Sequence, residues 1–417
     1  MVRLHSYLMA ITSLLSIWVF SVMSLENSDL VSELIMVDSF SLFLVWSLIW
    51  VLLSILVVPP SPASVSVWAS SLLSMLFYLA SDWLMFYVWF EASMLPMFWL
   101  IISLSKSPER LAASRFLFMY TVMASFPLLI FITEMKSASC SSSIWLHQFL
   151  PLSSGGLWGG LAWLSFLAKL PMLLLHLWLL KAHVEAPMIG SMFLAGILLK
   201  FGGMGAYRLL MTVEQFSLTS SIIIGTCLWG SVMGAVLASL SPDIKLAVAY
   251  ASVSHMNLGM AWGVIASYQG LSSFLYSMVA HSFSSSLLFF SATRSYEEVG
   301  SRSVVLLKGS LSHSLMAHFL GIVAWAINMN IPPFMGFWGE VIGFLSVFEL
   351  IPMALVTLIL YFVYSSGYSM ILFMVQFHMK SPSLGSPKLT LEYWLQHLVC
   401  CVPLVIGFIV IDLFYIN

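Results

Sequence analysis

Residues 188–210 read Met188-Ile-Gly-Ser-Met-Phe-Leu-Ala-Gly-Ile-Leu-Leu-Lys200-Phe-Gly-Gly-Met-Gly-Ala-Tyr-Arg-Leu-Leu210. An apolar run of about 20 residues spans the hydrocarbon core of a bilayer as a helix. Lys200 stands about twelve residues in, which at ~1.5 Å per residue is about 18 Å deep. A charge at that depth costs about 2.5–3.5 kcal/mol on insertion scales. The stretch therefore predicts a membrane span that carries a charge for a reason.

The rest of the chain agrees. Of its 417 residues, 61% are hydrophobic and 8% charged, with a mean hydropathy of +1.02; an average soluble domain is about 25% charged. A soluble enzyme is excluded. The net charge of −2 gives no reason to expect nucleic acid as a partner. Cys140, Cys227, Cys400 and Cys401 form no C-x-x-C pair, so no metal, iron–sulfur or disulfide framework is expected. No glycine-rich nucleotide loop is present. The first 25 residues are apolar without a small-residue cleavage signal and are expected to be a retained span.

Apolar runs fall at 7–25, 39–58, 63–80, 83–104, 111–133, 158–180, 188–210, 220–240, 246–266, 270–292, 313–348, 352–377 and 397–415. The expected fold is an all-α polytopic membrane protein of about thirteen transmembrane helices. The run 313–348 is too long for one straight span and holds Pro332-Pro333, so a broken helix is expected there. A second break is expected at Lys169-Leu170-Pro171. Alternating the connections puts eleven of the 15 positive residues on one side and Lys136 and Arg208 on the other, with Lys169 and Lys200 inside spans. The positive-inside rule then places the amino terminus on the cytosol-like side and the carboxyl terminus opposite. The acidic residues Glu26, Asp29, Glu33 and Asp38 fall on the positive-poor side. Residues 155–160, Gly-Gly-Leu-Trp-Gly-Gly, carry two G-x-x-x-G spacings that permit close helix approach, or else form a flexible loop. The expected organisation is amino-terminal spans in 1–62, two repeats in 63–210 and 211–377, and a loop with the last span in 378–417.

Besides Lys200, the intramembrane ionisable residues are Glu91, Lys169, Glu340 and the histidines 176, 255 and 281. Each has a bland reading: an ion pair can merely staple helices, and a buried histidine is often a bonded core residue. Arg115 and Asp82 lie near span ends and read as interfacial. The many Met, Phe and Trp residues read as packing. The chemistry that suits the buried set is proton transfer. Burial and an approaching carboxylate shift a lysine's proton affinity in opposite senses. One pKa unit is about 1.4 kcal/mol, and one charge crossing 100 mV is worth about 2.3 kcal/mol, so shifts of two or three units match the task. Broken helices recur where transporters place their sites.

The stretch Lys169-Leu-Pro-Met-Leu-Leu-Leu-His176-Leu-Trp-Leu-Leu-Lys181-Ala-His183-Val-Glu185-Ala-Pro187-Met-Ile-Gly-Ser191 resembles the antiporter-like membrane subunits of respiratory complex I. Within them, Lys181 to Pro187 is similar to the mitochondrial chain-4 members. Matching pieces follow in family order: Phe90-Glu91 with Pro96, Pro108 to Leu111, Leu198 to Lys200 with Gly202-Gly203, Asp243 to Lys245, Ala249 to Met256, His281 with Ser284 to Leu287, and Pro332-Pro333 leading to Gly339-Glu340.

The resemblance implies an antiporter-like fold with two inverted five-helix repeats. It implies that Glu91 pairs with Lys169, that Lys200 is the central proton carrier, that Glu340 is the terminal carrier, and that His255 and His281 join the two bundles. No cofactor is expected in this chain; NADH, FMN, iron–sulfur clusters and ubiquinone belong to partner subunits. The implied partners are other complex I subunits, above all the two neighbouring antiporter-like chains, and phospholipids. The implied location is the mitochondrial inner membrane, amino terminus in the matrix and carboxyl terminus on the intermembrane side. Family members carry one further amino-terminal helix. Two positions depart from the family: Phe334-Met335-Gly336 stand where an Asn is usual after the double proline, and Ser282 replaces a Gly after His281. The expected function is proton translocation coupled to electron transfer in partners, with a sodium/proton antiporter subunit and a charge-stapled scaffold as alternatives.

Overall fold

A computed structural model describes residues 12, 30–31, 35–58, 64–105, 108–139, 141–149, 156–212, 217–311, 315–350, 354–378 and 391–409. Two short antiparallel strands, β1 (Leu30–Val31) and β2 (Met36–Val37), precede an otherwise helical chain. The helices are α1 (Ser39–Val57), α2 (Ser64–Tyr78), α3 (Trp83–Ala92), α4 (Met94–Leu104), α5 (Arg110–Ser139), α6 (Ile144–Phe149), α7 (Gly156–Lys169), α8 (Leu177–Glu185) and α9 (Met188–Phe193). After α9 comes a π-helical turn (Leu194–Leu198), then α10 (Leu199–Thr212), α11 (Ser217–Leu240), α12 (Ile244–Val264), α13 (Tyr268–Val299), α14 (Leu315–Asn328), α15 (Met335–Leu350), α16 (Leu355–Phe377) and α17 (Leu391–Ile409).

Helix is the form that satisfies every backbone group without water, which is what a hydrocarbon setting demands. Among the described residues, six helical stretches are long and apolar enough to cross a membrane: Ser39–Val57, Trp83–Leu104, Arg110–Ser137, Met188–Thr212, Thr219–Leu240 and Leu355–Phe377. The other expected runs from 63–80 onward also hold helices, shorter or more polar. The full thirteen is thus not what length and hydropathy alone support. The expected span 7–25, apart from Thr12, lies outside the described residues, as do Glu26, Asp29 and Glu33.

Helix α13 is the central post. It packs on α1, α9, the π turn, α12, α14, α15 and α17. Its amino end is capped by Ser267, whose Oγ accepts from the Gly270 N–H at 3.0 Å. Its other end is closed by Gly300 at φ 74°, a left-handed conformation that glycine adopts without a Cβ penalty. Ser282, Ser285 and Ser286 turn their hydroxyls back onto the helix's own carbonyls. Ser282, where the family has Gly, is satisfied in this way.

Three interruptions position the candidate residues. Both expected breaks are present: α7 stops at Lys169 and helix resumes at Leu177, and α14 stops at Asn328 before α15 starts at Met335. The third, the π turn directly before Lys200, has no proline to announce it. The expected G-x-x-x-G approach does not occur at Gly160: a Cβ there meets nothing within 4 Å. Close approach happens at Gly202 and Gly205 instead. A Cβ on Gly202 would stand 2.7 Å from the Leu170 backbone nitrogen, and one on Gly205 would enter the Phe166 ring. These glycines seat α10 against the end of α7, bringing the Lys200 segment to the Lys169 segment.

Candidate functional site

Lys169 ends α7 and is 2% exposed. Its Nζ donates to the Phe90 carbonyl at 3.0 Å and sits 3.3 Å from the centroid of the Phe90 ring. Phe90 and Glu91 lie in the last turn of α3, beside the Ser93 junction with α4. Glu91 is within electrostatic range of Lys169, but no ion-pair contact joins them, and Glu91 Oε1 is buried without a hydrogen-bond partner. The expected pair is thus apart in this structure, because a carbonyl and a ring face hold the ammonium instead. From the Lys200 segment, the ring of Phe201 faces Lys169 at 5.7 Å and stacks on Phe77 at 4.1 Å.

Lys200 is fully buried and has neutral partners. Its Nζ donates to the Ala195 carbonyl at 2.6 Å and shares a hydrogen bond with His281 Nδ1 at 2.9 Å. Ala195 belongs to the π turn, whose wider winding lets a side chain five residues on reach the carbonyl. The other ring nitrogen of His281, Nε2, is buried and unpartnered. His281 borders a cavity of about 20 Å³ that is also lined by His255, Ser284, Asn330 and Glu340 among others. About one water fits such a volume.

Across that cavity Glu340 Oε1 accepts from Asn330 Nδ2 at 2.7 Å. Asn330 lies in the α14–α15 break at φ 53°, a conformation that Asn tolerates better than most residues. Gly336 has no Cβ, and any Cβ there would collide with the Asn330 side chain. Tyr361 lies within electrostatic range of Glu340. Tyr361 bonds His255 Nδ1 at 2.9 Å, Tyr368 bonds His255 Nε2 at 3.2 Å, and Asn328 Nδ2 donates to the Tyr368 hydroxyl at 3.1 Å. One placement of hydrogens satisfies these three bonds: Asn328 to Tyr368, Tyr368 to His255 Nε2, and His255 Nδ1–H to Tyr361, which leaves the Tyr361 O–H free to donate elsewhere. The rings of His255 and His281 are 6.3 Å apart. Lys200, His281, His255 and Glu340 are therefore one connected polar group.

Two residues carry more than the sequence suggested. His183 in α8 is fully buried, stacks on Phe289 at 4.5 Å, and has no hydrogen-bond partner on either ring nitrogen. It lies within electrostatic range of Lys200, His281 and Lys245. Lys245 Nζ donates to the Ala186 carbonyl at 3.1 Å. Lys245, Glu185, Glu109, Glu297 and Arg302 line an open cavity of about 680 Å³. The string Lys181 to Pro187 held this signal, but spacing does not tell which of its side chains turns inward. Arg208 corrects its assignment to a positive-poor connection. It is fully buried, donates to the carbonyls of Ala80 and Tyr78, and stands over the Phe86 ring in electrostatic range of Asp38. It closes the carboxyl end of α2. His176 lies in the α7–α8 break, near Tyr250 and apart from the Lys200 group.

Residues 80–369, which include all six expected site residues, match the family described as NADH:quinone oxidoreductase/Mrp antiporter, transmembrane. The chain is similar to NADH-ubiquinone oxidoreductase chain 4 of Albinaria caerulea, 36% identical over 330 residues, which is 77% of this chain and 74% of that one. The protein of that name from Lumbricus terrestris is 35% identical over 308 residues, covering 72% and 68%. In fold, the chain is similar to one in respiratory complex I from Thermus thermophilus, with a TM-score of 0.86, 21% identity and coverage of 95% and 89%. A chain of the Mrp complex from Dietzia sp. DQ12-45-1b gives a TM-score of 0.86 at 15% identity, covering 99% and 90%.

Proposed function

Because the chain belongs to the NADH:quinone oxidoreductase/Mrp antiporter membrane family, we propose that it is a proton-translocating membrane subunit of NADH:ubiquinone oxidoreductase. It works in the inner mitochondrial membrane with the other subunits of that complex, flanked by two antiporter-like chains and phospholipid. The redox chemistry of NADH, FMN, iron–sulfur clusters and ubiquinone takes place in those partners. This chain contributes the proton path.

The observation that carries the reading is the contact of Lys200 with His281, facing Glu340 across a cavity sized for one water. Lys200 is the central carrier, and a proton leaves it through His281 and the cavity to Glu340, with His255 and its tyrosines alongside. The large cavity at Glu185 and Lys245 feeds Lys200 by way of His183. The drive is the approach or withdrawal of Glu91 from Lys169, which alters the proton affinity of the group beyond. The two broken helices support two inverted repeats, 63–210 and 211–377, within about thirteen spans, between amino-terminal spans in 1–62 and a loop with the last span in 378–417. The amino terminus lies in the matrix and the carboxyl terminus on the intermembrane side.

Lys200→Met and Glu340→Gln test this. Each complex should assemble and retain NADH oxidation that is uncoupled or slowed, with protons moved per electron clearly reduced. Normal stoichiometry in either variant overturns the path. The likeness to the Mrp complex favours a second reading, sodium/proton exchange. Sodium-dependent proton flux in proteoliposomes, abolished by Lys200→Met, would select it.

A further inference from the structure

His318, near the start of α14, and His378, just after α16, meet at their Nε2 atoms, 3.1 Å apart. Their rings are perpendicular, at 87° with centroids 4.3 Å apart. His318 is half-buried, and His378 is exposed just past the carboxyl end of α16. Two neutral imidazoles hold this distance by one N–H and one lone pair. A tetrahedral zinc ion with Zn–N bonds of about 2.0–2.1 Å sets its nitrogens about 3.3–3.4 Å apart. The pair needs to open by only a few tenths of an ångström to admit such an ion.

The surroundings fix both rings. Phe373 and Phe377 pack edgewise on His318 at 5.9 and 5.8 Å, and Phe373 packs on His378 at 5.2 Å. Further along the same two helices, Trp325 Nε1 donates to Gln376 Oε1 at 3.1 Å and Asn328 Nδ2 to Tyr368 at 3.1 Å. The histidines are the outermost of three cross-links between α14 and α16, and the inner two hold the register. Preorganised ligands lose little freedom on binding.

We propose that His318 and His378 form a two-imidazole site for a borderline divalent transition-metal ion, Zn²⁺ or Cu²⁺. Imidazole suits these metals, and hard cations prefer oxygen. Among the described residues no third His, Cys, Asp or Glu joins the pair, so water completes the coordination. Both rings then carry their proton on Nδ1 and offer Nε2 to the metal. The site is separate from the Lys200 group but is tied to it, because the innermost cross-link ends on Tyr368, a partner of His255.

The test uses the intact complex containing this chain, stripped with a chelator and titrated with Cu²⁺ alone. Wild type minus the His318→Asn/His378→Asn double variant should leave one copper equivalent whose paramagnetic resonance spectrum shows coupling to two nitrogens. Each single variant should weaken that equivalent at least about tenfold. His378→Cys, which restores a ligand, should regain Zn²⁺ binding that His378→Asn lacks, in chains assembled to the same level. Equal copper occupancy in wild type and double variant, or an unchanged two-nitrogen signal in either single variant, overturns the proposal.

Discussion

Lys200 is the residue on which the molecule spends most. Buried and held by a carbonyl and an imidazole, its side-chain nitrogen has no counter-charge in contact. A structural lysine would be expected to have one, since a buried unpaired charge costs several kcal/mol. Glu298, beyond the expected limit of the α13 span, is simpler. Burial raises its carboxyl to about 7, with Glu297 adding to the rise and Arg294 opposing it. A raised acid favours the folded state at low pH, and that contribution fades as pH climbs through 7. Glu298→Gln should therefore leave the melting temperature of the complex unchanged near pH 4, below the ordinary carboxyl range, and raise it near pH 8; equal melting at pH 8 would refute the assignment. At this scale the sequence showed the buried Lys169, Lys200 and Glu340 but placed the equally buried Arg208 and Lys245 in connections. It did not show partners such as Asn330 and Tyr361, because 10 and 21 residues of chain separate them from Glu340. His183 and Arg208 escaped for the same reason: burial and facing depend on neighbours in space.

At the scale of elements, proline announced two breaks and the structure has both. The π turn at Leu194–Leu198 went unannounced because its residues, Leu-Ala-Gly-Ile-Leu, suit an ordinary helix equally well. The glycine signals misled in one place and informed in another. Gly160 faces open space, whereas Gly202 and Gly205 are pressed against α7. Gly205→Val should force α10 away from Phe166, an overpacking that costs about 1–3 kcal/mol. The expected outcome is less assembled complex and faster loss of proton pumping on warming. Gly160→Val should behave as wild type in the same heating assay. Equal heat resistance of the Gly205 and wild-type complexes would show that the contact does not hold the two segments together.

For the whole molecule, the membrane class and helical order followed from hydropathy alone, and the polar axis needed the folded chain. The decisive question at this scale is whether the buried charges act or merely staple. Replacing both members of a buried pair by apolar or neutral groups is often harmless to stability. The double variant Glu91→Gln/Lys169→Met should therefore assemble normally, with proton translocation cut about tenfold or more. Full translocation in that variant would make the chain a scaffold.

The rings around Lys169 have an electrical meaning. Phe90 covers its ammonium, and the stacked Phe77 and Phe201 stand toward Lys200. Aromatic faces accept a cation but relay no proton. In the conformation described, the Lys169 end is insulated from the Lys200 end, as a respiratory membrane requires if it is not to discharge itself. A smaller side chain at Phe201 is therefore expected to raise the passive proton leak, measured as the rate at which an imposed pH gradient decays across vesicles holding the complex.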